Sequence, residues 1–500
     1  MKKKAGILVT IVGVTLMLNA ESFQTRVEQL IKDSNYAEES VGVLIKEIKS
    51  DKPLVALNHE TMYNPASVMK LITGAAALDM LGIQYTFQTK VYIDSTFDRD
   101  SGVVPGSVYI RGGGDPGFLA ERMWLFIQHL THCGIKKIAG DLILDDSYFD
   151  PEINGPGFGE DNSSRAYEAP IAALSANFNT VAVHVAPANV IGAPVHITPF
   201  PRMKGVKIVS TAKTSPAGTS SGLQVKTEIM DGKTAILVFG DMALHEEPRY
   251  IFRKVWNTWE SFGWICQGLF EECDIAFNGK VRHETVPQSL QSKEPFYTFE
   301  SQPLPIFVFN MFKYSSNFAA EMVFKTVASE FDSLPGSWRS GARIVSDWWK
   351  RKKYLRRKTK TSPIIKNGSG MGGGNRVSPR HIVNLLEYVW YKKTYVPEFT
   401  YAMSVAGVDG TLKSRFKHSP LKGIIRAKTG TLNSRGVSNL AGYVLLPEKT
   451  CVFAILVTNK KKSQYSHWSL QQKILETVIS TPKKRQKRAE STQSDSQPVK

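Results

Sequence analysis

Three short strings, set far apart but in a fixed order, constrain what this chain can fold into. They are Ser67-Val68-Met69-Lys70, Ser315-Ser316-Asn317 and Lys428-Thr429-Gly430. Together they supply a hydroxyl nucleophile, an amine that can act as a base, a second hydroxyl and a cation that can bind an anion. Only a fold that carries early and late segments of the chain into one pocket can use them together.

Each string alone is weak evidence of an active site, because such short patterns also occur by chance. The surrounding sequence has to show which match is the functional one. Ser67 follows Asn64, which can cap a helix, and Pro65, which suits a first helical turn. Apolar residues after Ser67 recur at helical spacing, which places Lys70 one turn on and on the same face. S-x-x-K also occurs, without this context, at Ser210/Lys213, Ser414/Lys417, Ser419/Lys422 and Ser480/Lys483.

Both ends of the chain contribute to one predicted α+β domain, residues 21–85 plus 301–482. Helical periodicity returns after Leu304, with Ser315 to Asn317 at a break between helices, and residues 469–480 close the domain as a helix. Alternating patterns predict strands at 41–48 and 54–58 and an antiparallel meander at 426–431, 439–446 and 451–458.

Residues 86–300 have a different character and are predicted to interrupt this domain. Strand-like runs such as 104–111 and 235–239 are separated by turn-rich loops. We therefore predict a large mixed or β insertion made of two small modules, the second at about 185–230. Residues 249–270 are predicted to be helical.

The N-terminus has the pattern of an export signal. Three lysines precede an apolar run over residues 5–18, and Ala20 is small enough to end a cleavage site. We expect residues 1–20 to be removed, which places the protein in the periplasm or on the cell-wall side of the cytoplasmic membrane. An uncleaved membrane anchor is the alternative, although the run is short for a span.

Cysteine usage argues against a disulfide scaffold. Cys266 and Cys273 could pair only if their helix-like stretch bends, and buried free thiols are the other interpretation. No CxxC or His/Cys spacing typical of a metal site occurs. We expect the protein to need neither a metal nor a cofactor.

The formal net charge is +18, and much of it lies in basic runs at 350–360 and 483–488. Such runs can bind nucleic acid, but an exported protein rarely meets it, so no nucleic-acid partner is expected. Peripheral contact with anionic cell-wall polymer or with membrane headgroups is one interpretation, and a solvated charge run is the other. Residues 483–500 are predicted to be a disordered basic and polar tail.

More of the sequence then matches one known family. The set S-x-x-K, S-D-N and K-T-G is that of serine β-lactamases and penicillin-binding proteins, and this chain departs from it in having S-S-N as the middle motif. From about residue 40 to 460 the chain resembles the D-Ala-D-Ala carboxypeptidase/endopeptidase family of class C low-molecular-mass penicillin-binding proteins, whose mark is a long insertion between the first two motifs. The matching stretches are NPASVMKLITGAAAL, GGGDPGF, GDLILDDSYFD, KYSSNFAAEMVFK, NGSGMGGGNRVSP, SVAGVDGTLKSRF and AKTGTL…VSNLAGYV.

The resemblance implies a penicillin-binding/serine β-lactamase-like transpeptidase domain, an antiparallel sheet with flanking helices, and a catalytic set. Ser67 would be acylated by the penultimate D-Ala carbonyl and Lys70 would take its proton, for which the pKa of Lys70 must be lowered. Ser315 would relay a proton to the leaving amine. Asn317 would hold Lys70 and the substrate amide, and Lys428 would bind the terminal carboxylate.

Substrate-binding residues are implied in the same way. Thr429 would share the carboxylate, and the backbone N–H groups of Ser67 and Thr431 would form an oxyanion hole. Gly430 would leave room for a substrate strand to pair with this edge.

One departure concerns the residue that reads the side chain of the stem peptide. After Gly368-Ser369-Gly370 the family often has an Arg, and this chain has none until Arg376, which could substitute. The family's acidic contact from the inserted region falls at Asp161 or Asn162.

The resemblance therefore implies a penicillin-sensitive serine D-Ala-D-Ala carboxypeptidase or D,D-endopeptidase that acts on peptidoglycan peptides and is inhibited covalently by β-lactams. Two alternatives stay open. One is a β-lactamase or esterase on the same fold, which would deacylate fast. The other is a non-catalytic peptidoglycan-binding protein.

Overall fold

A computed structural model describes residues 22–159, 163–332 and 335–479. The predicted signal segment 1–20, Asp161, Asn162 and the tail 483–500 lie outside these ranges. Within them, no helix combines the length and apolar character needed to cross a bilayer.

The described chain contains eleven α-helices and twenty-two strands. The helices are α1 Phe23–Asp33, α2 Met69–Met80, α3 Ala120–His132, α4 Thr258–Glu272, α5 Gln288–Gln291, α6 Leu304–Lys313, α7 Asn317–Phe331, α8 Trp338–Arg351, α9 Pro379–Trp390, α10 Val396–Ala402 and α11 Gln464–Ile479. The strands are β1 Val41–Glu47, β2 Val55–Leu57, β3 Gln88–Ile93, β4 Val103–Val104, β5 Val108–Arg111, β6 Lys137–Ile138, β7 Leu142–Asp145, β8 Thr180–Ala186, β9 His196–Phe200, β10 Lys207–Ser210, β11 Lys213–Ser215, β12 Gln224–Met230, β13 Lys233–Phe239, β14 Asp241–Ala243, β15 Arg249–Lys254, β16 Ala276–Phe277, β17 Val281–His283, β18 Tyr297–Glu300, β19 Ser404–Val405, β20 Ile425–Leu432, β21 Val437–Leu445 and β22 Thr450–Thr458.

The central sheet joins the two ends of the chain. Its strand order is β19-β20-β21-β22-β1-β2, and every neighbouring pair is antiparallel. Strand β1 pairs with the late strand β22 from Val41 opposite Val457 to Glu47 opposite Cys451. The predicted α+β fold with an antiparallel sheet is confirmed, and the meander strands begin and end within two residues of the predicted positions.

Helices cover both faces of this sheet. Helices α1 and α11 share a core with one face, and α2, α6, α7, α8 and α9 pack against the other. Helix α2 is buried over nearly its whole length, and its small residues let its neighbours approach closely. A Cβ atom at Gly74 would lie 2.6 Å from Cζ of Phe312. The helix that follows Ser67 is therefore fixed on all sides by packing.

The insertion leaves and re-enters through adjacent strands. Strand β3, soon after α2, pairs antiparallel with β18, just before α6, so entry and exit lie side by side. Strands β3 and β18 belong to a five-stranded mixed sheet. The rest of the insertion forms three three-stranded sheets and one two-stranded sheet, and α3 and α4 pack among these sheets.

One detail of the insertion differs from the sequence prediction. Residues 249–270 are not one helix, because Arg249–Lys254 is strand β15, which pairs with β8, and α4 begins only at Thr258, capped by the side chain of Asn257. The division of the insertion into two modules, with the second at about 185–230, stays a prediction.

The cysteines and the first basic run are also placed. Cys266 lies inside α4 and Cys273 is its C-cap residue, and both are free thiols. In the basic run, Lys352 forms a 2.7 Å ion pair with Asp79, and Arg357 forms one with Asp51 at 2.7 Å. Part of the charge in that run is therefore paired with carboxylates of the same chain.

Candidate active site

Ser67 lies in a tight turn at the start of the buried helix. Residues Ala66–Val68 form a single-turn 3-10 helix, and α2 begins directly after it, two residues later than a helix starting at Ser67 would. The N-cap residues are Pro65 for the 3-10 helix and Val68 for α2 rather than the predicted Asn64, whose side-chain oxygen instead accepts a 2.9 Å hydrogen bond from the N–H of Ala66 within the turn. Ala66 has a φ of 43°, a left-handed backbone conformation that residues other than glycine seldom adopt. The serine is thus presented by a strained turn.

Lys70 is fully buried and points its amine at three oxygens. Its Nζ atom donates to Oγ of Ser67, to Oδ1 of Asn317 and to the carbonyl oxygen of Ser369, each at 2.8 Å. Burial lowers the pKa of Lys70 to about 7, against the opposing charge of Glu321. A lysine with this pKa is neutral in a large fraction of molecules at neutral pH and can accept the Ser67 proton.

Glu321 was not identified in the sequence, yet it organises the loop that faces Lys70. Its carboxylate accepts hydrogen bonds from Gly368 N at 2.9 Å, from Ser369 N at 2.8 Å and from Nε1 of Trp338 at 2.9 Å. The same loop turns the Ser369 carbonyl toward Lys70. A glutamate among apolar residues of a helix is the signal that could have drawn attention to it, because such burial requires partners.

Lys428 holds the second hydroxyl. Its Nζ atom donates to Oγ of Ser315 at 2.9 Å and to the carbonyl oxygen of Thr429 at 2.8 Å. Ser315 sits between α6 and α7 with a φ of 60°. Lys428 is fully buried, and burial together with the charge of Lys70 holds its pKa well below the ordinary value.

Strand β20 lies directly against the Ser67 turn. A Cβ atom at Gly430 would come within 2.6 Å of the Pro65 carbonyl oxygen, so Gly430 allows the strand to approach the turn rather than the substrate to approach the strand. Nδ2 of Asn439, on β21, donates to the carbonyl oxygens of Asn64 at 2.9 Å and Pro65 at 2.8 Å.

The outer edge of β20 is available to a ligand. Strand β19 pairs only with Ala427 and Arg426. From Lys428 to Leu432 no strand of the described chain covers this edge, so an extended peptide could add to it.

Ser67 and Ser315 stand where two clefts meet. The larger cleft, of about 500 Å³, is lined by Ser67, Gly157, Arg165, Tyr167, Glu168, Ser315, Asn317, Gly370, Met371, Gly372, Thr431, Leu432, Asn433, Ser434 and Arg435. The smaller, of about 260 Å³, is lined by Ser67, Ser315, Thr411, Arg415, Thr429, Thr431 and Trp468. The residues predicted from three distant strings therefore form two hydrogen-bonded groups beside an open groove, one of Ser67, Lys70 and Asn317 and the other of Ser315 and Lys428.

The residues predicted to read the stem-peptide side chain are less well placed. Arg376 does not line either cleft, and its guanidinium donates to the carbonyl oxygens of Gly373 and Asn375. Arg165 and Arg435 line the larger cleft and were not identified in the sequence. Across the ranges that the structure covers, no group of three or more His, Cys, Asp and Glu side chains is arranged to hold a metal ion.

An α+β fold that places a serine hydroxyl against a lysine of lowered pKa defines the class of active-site-serine peptidases with the penicillin-binding-protein fold. The chain matches the D-Ala-D-Ala carboxypeptidase 3 (S13) family over residues 23–476. It belongs to this family and is a serine-type D-Ala-D-Ala carboxypeptidase.

Individual relatives agree with this assignment. The chain is 29% identical over 427 residues to the D-alanyl-D-alanine carboxypeptidase of Actinomadura sp. (strain R39), covering 83% of this chain and 77% of the relative. It is 28% identical over 409 residues to the D-alanyl-D-alanine carboxypeptidase DacB of Haemophilus influenzae, covering 81% and 82%. The crystal structure of penicillin binding protein 4 (dacB) from that organism superposes with a TM-score of 0.76 at 25% identity, over 90% of this chain and 99% of the other.

Proposed function

We propose that this carboxypeptidase hydrolyses the terminal D-Ala-D-Ala bond of peptidoglycan stem peptides through an acyl-enzyme on Ser67. The observation that supports this most directly is the 2.8 Å contact between Oγ of Ser67 and the buried amine of Lys70. A serine hydroxyl needs an adjacent base to become a nucleophile, and the lowered pKa of Lys70 supplies one.

Acylation follows from these contacts. Lys70 takes the Ser67 proton as Oγ attacks the carbonyl carbon of the penultimate D-Ala. The resulting oxyanion is stabilised by the N–H groups of Ser67 and Thr431, an interaction of roughly 3 kcal/mol per donor. Ser315, held by Lys428, relays the proton that Lys70 has taken up to the departing D-Ala amine, which leaves Lys70 neutral and Ser315 with its hydroxyl intact.

Deacylation uses the same base. Lys70 removes a proton from water, which attacks the ester carbonyl, and Ser67 leaves with its proton restored. Asn317, which already accepts a hydrogen bond from Lys70, would also hold the substrate amide.

Cleavage of D-Ala–diamino-acid cross-links is a second expected activity of the same site. The larger cleft meets, at Arg165, a second groove of about 790 Å³ that runs along β12. This continuity gives room for a peptide longer than one stem. Digestion of defined muropeptides, with products identified by mass, separates release of D-Ala from scission of dimers.

β-Lactams are expected to acylate Ser67 because they carry the same carboxylate and a strained amide in place of the peptide bond. A related H. influenzae penicillin binding protein 4 has been crystallised with a β-lactam. The location that suits this activity is outside the cytoplasmic membrane, as the N-terminal segment predicts.

One experiment tests the proposed function. A fluorescent penicillin should label the protein, and Ser67→Ala should abolish both the labelling and release of D-Ala from a pentapeptide. Labelling that persists in Ser67→Ala would refute the assignment of the nucleophile. Rapid turnover of a chromogenic cephalosporin with no D-Ala released would indicate a β-lactamase instead.

A further inference from the structure

Arg415 is a buried cation that the sequence motifs did not point to. Only 6% of its surface is exposed, yet it lines the smaller cleft together with Ser67, Thr411 and Thr429. It follows the short 3-10 helix Gly410–Leu412 and is not among the residues that line the larger cleft. The nucleophile and this arginine therefore share one small cleft.

The surroundings of Arg415 do not neutralise it. Its Nη2 atom donates to the amide oxygen of Gln471 at 2.7 Å, and its guanidinium lies 5.3 Å from the ring centre of Trp468. Its Nε atom has no hydrogen-bond partner, and no carboxylate of the described residues forms an ion pair with it. A buried arginine of purely structural role is normally paired with an acid, because removing an isolated charge from water is costly.

Lys428 is poorly placed to fill the role that the motif assigns to it. It lines neither cleft, it is fully buried, and its amine is already engaged with Ser315 and the Thr429 carbonyl. Arg415, in contrast, lines the cleft itself. Two hydroxyl-bearing residues, Thr411 and Thr429, line the same smaller cleft. Oγ1 of Thr429 donates a 2.8 Å hydrogen bond to Oγ1 of Thr411.

We propose that the smaller cleft is a carboxylate subsite in which Arg415, with Thr429 and Thr411, binds the C-terminal carboxylate of the substrate. Lys428 then acts as a positioning residue that holds Ser315. Guanidinium groups bind carboxylates through two parallel hydrogen bonds, which fixes the direction in which the peptide lies as well as its affinity. The free carboxylate brings the missing negative charge, so Arg415 selects substrates that end in a free acid. The inference rests on the proposed function.

A pair of substrates tests it. Diacetyl-Lys-D-Ala-D-Ala and the same peptide with a C-terminal amide differ only in the carboxylate. The wild type should prefer the acid, and Arg415→Gln should lower kcat/KM for the acid about 10- to 100-fold, the range for loss of a charge-assisted hydrogen bond. For the amide the change should stay within about twofold. Lys413→Gln, an exposed lysine two residues away, removes the same charge and should leave both values unchanged.

The outcomes separate the possibilities. Equal losses on acid and amide, or no loss on either, would overturn the carboxylate subsite. If Arg415→Gln does not fold, Arg415→Lys decides, because a shorter ammonium cannot make two parallel bonds. It should reduce the acid-over-amide preference about threefold or more, and an unchanged preference would refute the proposal. A wild type that cleaves neither peptide and takes up no penicillin would instead refute the proposed function.

Discussion

Gly370 packs so closely against Ala66 that a Cβ atom at Gly370 would lie 1.8 Å from the Ala66 carbonyl oxygen. Both residues have left-handed backbones, with φ values of 84° and 43°. The N–H of Gly370 donates to the side chain of Asn367 at 2.9 Å. The turn that presents Ser67 and the loop that presents the Ser369 carbonyl are therefore interlocked, and neither can move without the other.

Gly370→Ala should consequently destabilise the protein and slow acylation together. The positive φ and the clash with backbone add, and we expect a loss of about 2–4 kcal/mol in the free energy of unfolding. Gly82→Ala is a matched control, because Gly82 has a φ of 88° but nothing within 4 Å of the added atom. It should lose about 1 kcal/mol and keep its acylation rate. Denaturant unfolding and penicillin labelling measure the two effects, and equal behaviour of the two variants would contradict the interlock.

The sequence identifies those parts of the site that depend on local geometry. Ser67 and Lys70 meet because residues three apart share a helical face, and the meander around Lys428 is visible as alternation. Contacts between distant segments leave no such trace. Nothing in the sequence shows that Glu321 meets Ser369, or that Arg415 reaches the cleft, because tertiary packing alone brings them there.

The incorrect prediction of a helix over residues 249–270 has a similar cause. Tyr250 and Phe252 are large hydrophobic residues, but both are more than half exposed on a strand that pairs with β8. An apolar run of this length is compatible with both the helical period of 3.6 residues and the strand period of two. Only pairing with a neighbouring strand decides which structure forms.

Acylation should depend on pH through Lys70. Because burial lowers its pKa to about 7, the fraction of neutral amine rises as pH rises through that value. The value of kcat/KM should increase about tenfold per pH unit well below 7 and level off above it. A profile of penicillin acylation against pH measures this, and an acid limb near the ordinary lysine pKa of 10.5 would be inconsistent with the buried base.

Glu321→Gln should shift that acid limb to lower pH, because the carboxylate raises the pKa of Lys70 and its removal lets the pKa fall. The amide also replaces one acceptor by a donor facing Gly368 or Ser369, so stability should fall by about 1–3 kcal/mol. Trp338→Phe is the control, since it removes one hydrogen bond from Glu321 but leaves the charge. Trp338→Phe should lower stability without shifting the acid limb of the pH profile. An equal shift of the acid limb in both variants would show that the charge of Glu321 does not set the pKa of Lys70.

Asn439→Asp should loosen the Ser67 turn from the sheet. The amide donates to the carbonyl oxygens of Asn64 and Pro65 and accepts from the N–H of Val457 at 3.1 Å. A carboxylate has no donor and would face two buried carbonyl oxygens. We expect a loss of about 2–4 kcal/mol in stability and slower labelling by penicillin. Asn433→Asp, on the exposed turn after β20, should change stability by less than about 0.5 kcal/mol.

Lys70→Met should abolish acylation and alter stability in a pH-dependent way. In the wild type the unfolded chain keeps the Lys70 proton up to about pH 10.5, whereas the folded chain loses it near 7. Between these values the unfolded state binds more protons, so this group makes the wild type less stable as pH falls from 10.5 to 7. Methionine has no such dependence.

The free energy of unfolding of Lys70→Met relative to wild type should therefore increase by on the order of 4 kcal/mol from pH 10 to pH 6, at about 1.4 kcal/mol per pKa unit. Guanidinium unfolding at the two pH values measures the difference. Ser67→Ala is the control, because it also abolishes acylation but keeps the amine, so its stability relative to wild type should hardly depend on pH. A flat difference for Lys70→Met would mean that the folded protein keeps this lysine protonated, and Ser67 would then lack its base.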